Sequence, residues 1–90
     1  MVTMFVRHTI LDYDAWRAVY DEFESHHPQF GVRAESVYQA VDNPNDVTVT
    51  HAFDDVASAR AFIEGDEVRA AMEKAGVTGE PEIWFAEERD

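Results

Sequence analysis

Hydrophobic and polar positions along the chain change their spacing several times, and each change predicts a new element of secondary structure. Apolar residues at every second position are typical of a strand, and apolar residues at every third or fourth position are typical of a helix. The successive runs are alternating at Val2–Ile10, helical at Tyr13–Phe23, alternating at Val32–Val41 and at Val47–Phe53, helical at Val56–Ala75, and alternating at Ile83–Phe85. The predicted order, strand–helix–strand–strand–helix–strand, is that of a split βαβ unit.

Polar residues and glycines predict where the helices begin and end. Asp12 stands where the N-cap of the first helix belongs,. The same helix should end near residues 26–28, because proline disfavours helical conformation in the residue before it. Gly65 interrupts the second helical run, and Gly76 is a good C-terminal stop,. We therefore expect one helix after the first strand and two shorter helices after the third.

The connection between strands two and three is predicted to be a hairpin. Residues 42–46 read DNPND, a cluster of turn-forming residues between two runs rich in β-branched side chains,. A loop of this length does not set the register of the strand before it. The sequence therefore leaves open whether Val37 or Tyr38 faces the helices.

Alternation within strands one and three predicts which side chains share a face of the sheet. His8 shares a face with Val6, and His51 shares a face with Phe53. These more apolar faces should lie beneath the helices. We take strands one and three to be central neighbours that run parallel, which would bring His8 and His51 to one face at similar height.

The opposite face of the sheet is predicted to mediate self-association. It carries Thr3, Phe5, Arg7, Thr48 and Thr50, a mixture too apolar around Phe5 to lie bare and too polar for a full core. A sheet with helices on one side only must cover its other side. We therefore expect a twofold homodimer, sheet against sheet. Arg7 should pair with an acidic residue across this dimer or bind an anion.

Size and charge exclude several classes of protein. We expect a single domain spanning residues 1–90, since this length is too short for two independent cores,. The net charge of −12 argues against nucleic acid and anionic membranes as partners, because both need a cationic footprint,. No apolar run approaches the roughly 20 residues that cross a bilayer, and the absence of cysteine excludes disulfides and thiol chemistry,. We expect a cytoplasmic protein, and its acidity fits either a salt-rich cytoplasm or an ordinary acidic protein.

Three stretches of the chain carry a family likeness. They are residues 6–10 (VRHTI) leading into 12–16 (DYDAW), residues 50–55 (THAFDD) leading into 59–62 (ARAF), and the ending 79–85 (GEPEIWF). With these stretches the chain resembles the dimeric α/β-barrel superfamily, close to its antibiotic-biosynthesis-monooxygenase-like group. The resemblance implies an α+β fold of the ferredoxin-like βαββαβ type, in which a four-stranded antiparallel sheet carries helices on one face and dimerises through the other into an α/β barrel. Members include cofactor-independent oxygenases of aromatic polyketides, cyclases, heme-degrading enzymes and many small proteins without an assigned activity.

The heme-degrading members of this group provide a comparison for three positions. They use an asparagine late in strand one, a tryptophan closing strand three, and an iron-ligating histidine in the second helical segment. The matching positions here are His8, Phe53 and Met72, and all three depart from that pattern. A lone thioether would be an unusual proximal heme ligand. We expect no heme and no other cofactor, and no metal site, because two histidines alone rarely hold a metal tightly.

The histidines are the strongest candidates for catalytic chemistry. Burial lowers the pKa of an imidazole, so a buried histidine stays neutral and can take a proton from a phenol or an enol. We assign His8 as the general base or hydrogen-bond anchor and His51 as the residue that orients it. The alternative is a pair of core histidines satisfied by internal hydrogen bonds. The side chains predicted to line a substrate cavity, which plain core packing would also explain, are Trp16, Tyr20, Phe23, Phe53, Phe62 and Met72.

Two functions from different classes remain open. The favoured one is a small cofactor-independent enzyme, a monooxygenase or cyclase acting on a small aromatic or polyketide-like compound between sheet and helices. The alternative is a non-catalytic dimer that binds a small apolar ligand or serves as a stress-associated accessory protein. A cavity above roughly 300 Å³ that reaches both imidazoles would favour the enzyme, and a filled core would favour the second function.

Overall fold

The chain folds in the order that its hydrophobic spacing predicts. The computed structural model describes residues 1–26 and 30–89, without the side chain of residue 26. The elements are β1 (Val2–Ile10), α1 (Tyr13–His26), β2 (Ala34–Ala40), β3 (Asn43–Phe53), α2 (Val56–Ile63), α3 (Asp66–Ala75) and β4 (Val77–Ala86). The second helical run is two helices, as the glycine at 65 predicts. The predicted end of the first helix at residues 26–28 lies partly outside the described residues.

Side-chain and glycine caps set the helix ends. The Asp12 carboxylate accepts a hydrogen bond from the backbone N–H of Ala15 at 2.9 Å, which confirms its predicted place before α1. The carboxylate of Asp55 accepts from the N–H of Ser58 at 2.8 Å and caps α2. Gly76 follows α3 in the left-handed conformation, with φ 83°, where a side chain would be strained,.

The strands form one four-stranded sheet in the order β2-β3-β1-β4, and every neighbouring pair is antiparallel. The fold class is therefore confirmed, but the parallel pairing taken for strands one and three is wrong. The crossover through α1 leaves β2 parallel to β1, and the hairpin then reverses the chain into β3. Met4 lies opposite His51, and His8 lies opposite Val47. The two histidines are thus four residues apart along the strands, about 13 Å.

Burial confirms the predicted faces of the two central strands. The residues beneath the helices are at most a few per cent exposed, and His8 and His51 are among them at 6% and 3%. They pack against apolar side chains from all three helices. The core cluster comprises Met4, Val6, Ile10, Trp16, Val47, Val49, Phe53, Ala59, Phe62, Val68 and Ala75.

The hairpin is tighter than the sequence suggests, and it determines the phase of β2. The turn itself is residues 41–42, and β3 begins at Asn43 rather than after a five-residue loop. A register shift between Gln39 and Ala40 accommodates the additional residues of β3. Val37 pairs with Val49 and so lies on the helix side, whereas Tyr38 lies on the opposite side and is 57% exposed,.

The face of the sheet opposite the helices, called the far face below, carries an aromatic pair and an ion pair. Phe5 stacks on Trp84 with ring centroids 5.3 Å apart. The guanidinium of Arg7 donates to both carboxylate oxygens of Asp46, at 3.0 and 2.7 Å. Arg7 thus pairs with a carboxylate of its own chain, and its pairing across a dimer stays a prediction.

None of the helices in the described ranges is both long enough and apolar enough to cross a membrane.

Candidate functional site

A small cavity lies between the sheet and the helices. Its volume is about 60 Å³. This is far below the volume of roughly 300 Å³ that we expect for the cavity of an enzyme acting on polyketide-like compounds. Of the side chains predicted to line a substrate cavity, all but Phe53 line this one. Phe53 is fully buried in the core. The cavity is lined by Met4, Val6, His8, Trp16, Val19, Tyr20, Phe23, Glu24, Val49, His51, Phe62, Ile63, Val68, Ala71, Met72 and Ala75.

His8 marks one end of this cavity. Its ring meets Trp16 edge-on, with centroids 5.8 Å apart. Neither of its ring nitrogens has a hydrogen-bond partner within residues 1–26 and 30–89. Burial lowers the pKa of His8, since nothing there compensates the cost of a buried charge,. The imidazole is therefore neutral, with one donor and one acceptor available to whatever enters the cavity.

His51 marks the other end, and a carboxylate holds it. The distance from His51 Nε2 to Glu24 Oε1 is 2.6 Å. A carboxylate accepts hydrogen bonds, so we assign the ring proton to Nε2 and a lone pair to Nδ1. Nδ1 is buried and has no partner in the part of the chain that the structure describes. The geometry is that of a base with one nitrogen oriented and the other free.

Aromatic rings fill the space between the two histidines. Trp16 stacks on Tyr20 with centroids 4.9 Å apart, and the Tyr20 ring lies 6.1 Å from that of His51. The two imidazoles therefore line one cavity without meeting. The predicted role of His51 in orienting His8 is wrong, because the antiparallel register separates them.

Tyr20 contributes a buried hydroxyl to the site. This hydroxyl has no hydrogen-bond partner among the described residues. Burial, the largest cause, and the nearby carboxylate of Glu24 raise the pKa of Tyr20. The phenol therefore stays protonated and is a donor for an oxygen that forms in the cavity.

Two residues of the site, Glu24 and Glu35, are absent from the sequence-based prediction. Glu24 follows Tyr20 by four positions on α1 and so continues the stripe that faces the sheet,. Glu35 lies directly opposite His51 in the pairing of β2 with β3. Helical spacing alone could have found Glu24. Glu35 required the phase of strand two, which the sequence leaves open.

One group of described side chains could hold a metal ion. It consists of Glu24, Glu35 and His51, and one donor atom from each lies within 4.8 Å of the others. The hydrogen bond between His51 and Glu24 occupies part of that space. Its 2.6 Å length leaves no room for a cation between the two atoms,. The geometry therefore fits a shared proton better than a metal.

Comparisons with known proteins give a fold likeness and no sequence match. No family model matches the chain, and no curated protein matches it. Among solved structures, SnoaB, a cofactor-independent oxygenase from Streptomyces nogalater, superposes with a TM-score of 0.79 at 15% identity over 99% of this chain and 93% of that one. An antibiotic biosynthesis monooxygenase superposes with a TM-score of 0.76 at 12% identity over 100% of both chains. A conserved protein from Methanosarcina mazei Go1 gives a TM-score of 0.77 at 15% identity over 98% of this chain and 92% of that one.

The chain has the fold of the antibiotic biosynthesis monooxygenases. The family likeness drawn from the sequence is thus confirmed at the level of the fold. At these identities a shared fold does not carry an activity, since one fold hosts many functions. Function must therefore be argued from the cavity and the residues around it.

The buried, neutral state of His8 predicts a pH-dependent stability. The pKa of His8 is lowered on folding. Above the unfolded-state pKa of about 6.5, His8 is neutral in both states and its burial takes nothing from the free energy of unfolding. Below that pH, the unfolded chain gains a proton that the folded chain does not, so the free energy of unfolding falls. His8→Leu should therefore remove part of the stability loss between pH 7.5 and 5.5, by up to about 1.4 kcal/mol per pH unit. Urea unfolding of both proteins at the two pH values measures this. Equal losses in wild type and variant would contradict it.

Proposed function

We propose that the chain is a cofactor-independent enzyme of monooxygenase or cyclase type, which takes a proton from a small phenol or enol in the cavity between sheet and helices. One observation supports this most: His51 is buried, its Nε2 is held by Glu24 at 2.6 Å, and its Nδ1 lacks a described partner. A base needs such an oriented imidazole with one accessible lone pair.

The proposed proton transfer uses the two ring nitrogens of His51. The hydroxyl of the ligand donates its proton to Nδ1, and the imidazolium that forms is stabilised by the Glu24 carboxylate on Nε2. A positioned base of this kind typically contributes about 10² to 10⁴ in rate. The apolar lining strengthens the attraction between the imidazolium and Glu24, because little water screens it.

The anion left behind is the reactive species. A phenolate or enolate is electron-rich enough to react with O₂ directly or to attack a carbonyl of the same molecule. These two outcomes are the first steps of cofactor-independent oxygenation and of cyclisation. The hydroxyl of Tyr20 is the donor that would stabilise the developing oxyanion,.

The volume of the cavity limits the ligand. About 60 Å³ accommodates a few water molecules or part of one ring,. The half-buried lining residues, including Tyr20, Phe23 and Met72, come from the helices, so the cavity opens between them. A single-ring or two-ring phenol that projects through this opening fits the proposal better than a polyketide-like compound, which would require the helices to separate.

Ionisation of 2-naphthol by the protein tests this proposal. The naphtholate anion absorbs at longer wavelength than naphthol, so its band reports proton transfer directly. At pH 7 the wild type should bind 2-naphthol saturably and produce naphtholate, and His51→Gln should reduce the naphtholate band at least tenfold because Gln has no basic nitrogen. Glu22→Gln, which changes a largely exposed carboxylate of the same helix, should leave the band unchanged.

The naphthol experiment has two results that would overturn the proposal. One is naphtholate formation that survives in His51→Gln. The other is the absence of saturable binding to a wild type that is folded by circular dichroism.

A second candidate function is a non-catalytic dimeric protein that binds a small apolar ligand or acts as a stress-associated accessory protein. Two observations favour it: the cavity is small, and His51 already has an internal partner. This function predicts that 2-naphthol binds in its protonated form, with no naphtholate band in any variant. The same titration therefore separates the two candidates.

We also propose that two copies of the chain associate through the far face of the sheet. Trp84 is 43% exposed and stacked on Phe5, and Tyr38 is 57% exposed on the same face. Aromatic side chains of this size are characteristic of protein interfaces. The ion pair of Arg7 with Asp46 would lie toward the rim of such an interface, since it is satisfied within one chain.

The homodimer is tested by a charge placed in the aromatic pair. The wild type should sediment as a dimer of the 10.3 kDa chain, and Trp84→Glu should sediment as a monomer because a buried carboxylate would lack a partner,. Leu11→Glu is the matched control, since Leu11 is 73% exposed outside the sheet. A monomeric wild type, or a dimer that tolerates Trp84→Glu, would contradict the proposed interface.

A further inference from the structure

We propose that Glu35 is a positioning residue of this site, which holds a proton next to Glu24 and thereby keeps Nδ1 of His51 free. This inference rests on the proposed function in that it takes His51 as the base. It concerns the resting protein and needs no ligand.

The fold brings Glu35 to His51 from a neighbouring strand. The two residues are direct partners in the antiparallel pairing of β2 with β3, on the helix side of the sheet. Side chains in such positions have Cβ atoms about 5 Å apart. Glu24 reaches the same point from α1, and one donor atom of each residue lies within 4.8 Å of the other two. Of these three residues, His51 is buried, whereas Glu35 lies on the edge strand and is exposed.

Two carboxylates at this separation resist simultaneous ionisation. Partial burial, a side-chain hydrogen bond with Glu24 and the charge of Glu24 all raise the pKa of Glu35, while His51 and Arg17 act in the opposite direction. Glu24 already accepts the Nε2–H of His51 at 2.6 Å, which favours its ionised form. We therefore place the shared proton on Glu35, which donates it to Glu24.

This arrangement decides where a single proton resides among the three groups. A proton on Glu35 leaves His51 neutral, so that Nε2–H is donated to Glu24 and the Nδ1 lone pair is directed at the cavity. On His51 it would produce an imidazolium whose Nδ1 could no longer accept a proton from a ligand. Glu35 thus acts through Glu24 and His51 and does not touch the ligand itself.

Nuclear magnetic resonance of the labelled full chain tests this inference through the Glu35 side-chain carboxyl carbon and the ring nitrogens of His51. Glu35 should remain protonated above about pH 4.3, the ordinary pKa of a glutamate side chain, while His51 shows the neutral Nε2–H tautomer. Glu35→Gln keeps a donor to Glu24 and should preserve this tautomer. Glu35→Ala removes the donor, so the His51 ring nitrogens should depart from the Nε2–H pattern at the same pH.

The control and the contrary result are both spectroscopic. Glu22→Gln, on the exposed side of α1, should leave the His51 nitrogens unchanged. Ionisation of Glu35 at the ordinary glutamate value of about 4.3, or equal effects of Glu35→Gln and Glu35→Ala on the His51 nitrogens, would overturn the inference. Its failure is separable from that of the proposed function, which depends on naphthol ionisation and not on the resting protonation of Glu35.

Discussion

A hydrogen bond between a helix and the middle of the sheet governs the rest of this structure. His51 is 3% exposed on a central strand, and a buried imidazole without partners is costly,. Glu24 from α1 satisfies one of its nitrogens at 2.6 Å. A hydrogen bond to a charged group contributes about 1.5 to 3 kcal/mol. The contact therefore ties α1 to the sheet and at the same time determines which ring nitrogen faces the cavity.

The cavity follows from how the helices cover one face of the sheet. Large rings from α1, above all Trp16 and Tyr20, occupy the space between the two histidines and leave only a small volume. What remains polar there is unusual for so apolar a setting: His8, the Tyr20 hydroxyl and one nitrogen of His51 have no partner in residues 1–26 and 30–89. Buried polar groups in native proteins are normally satisfied. Unsatisfied ones that surround a cavity are the reason to assign it a ligand.

The sequence predicts the faces of this fold well because facing depends on alternation within a single strand. Val6, His8 and His51 are buried as their spacing indicates. Strand direction is a property of the whole connection, and treating β1 and β3 as parallel brought His8 and His51 together in error. The contact of Glu35 with the site was also not predicted, because it depends on how two strands pair. The neighbour of Glu35 depends on a register shift near Gln39, which no local pattern in the sequence reveals.

A double-mutant cycle measures directly whether Glu24 and His51 form a coupled pair inside the protein. Glu24→Ala, His51→Leu and the double variant are unfolded in urea at pH 7, and the coupling free energy is obtained from the four stabilities. We expect a coupling of at least about 1.5 kcal/mol, as for other hydrogen bonds to a charged group. Additive effects, with a coupling below about 0.5 kcal/mol, would contradict it.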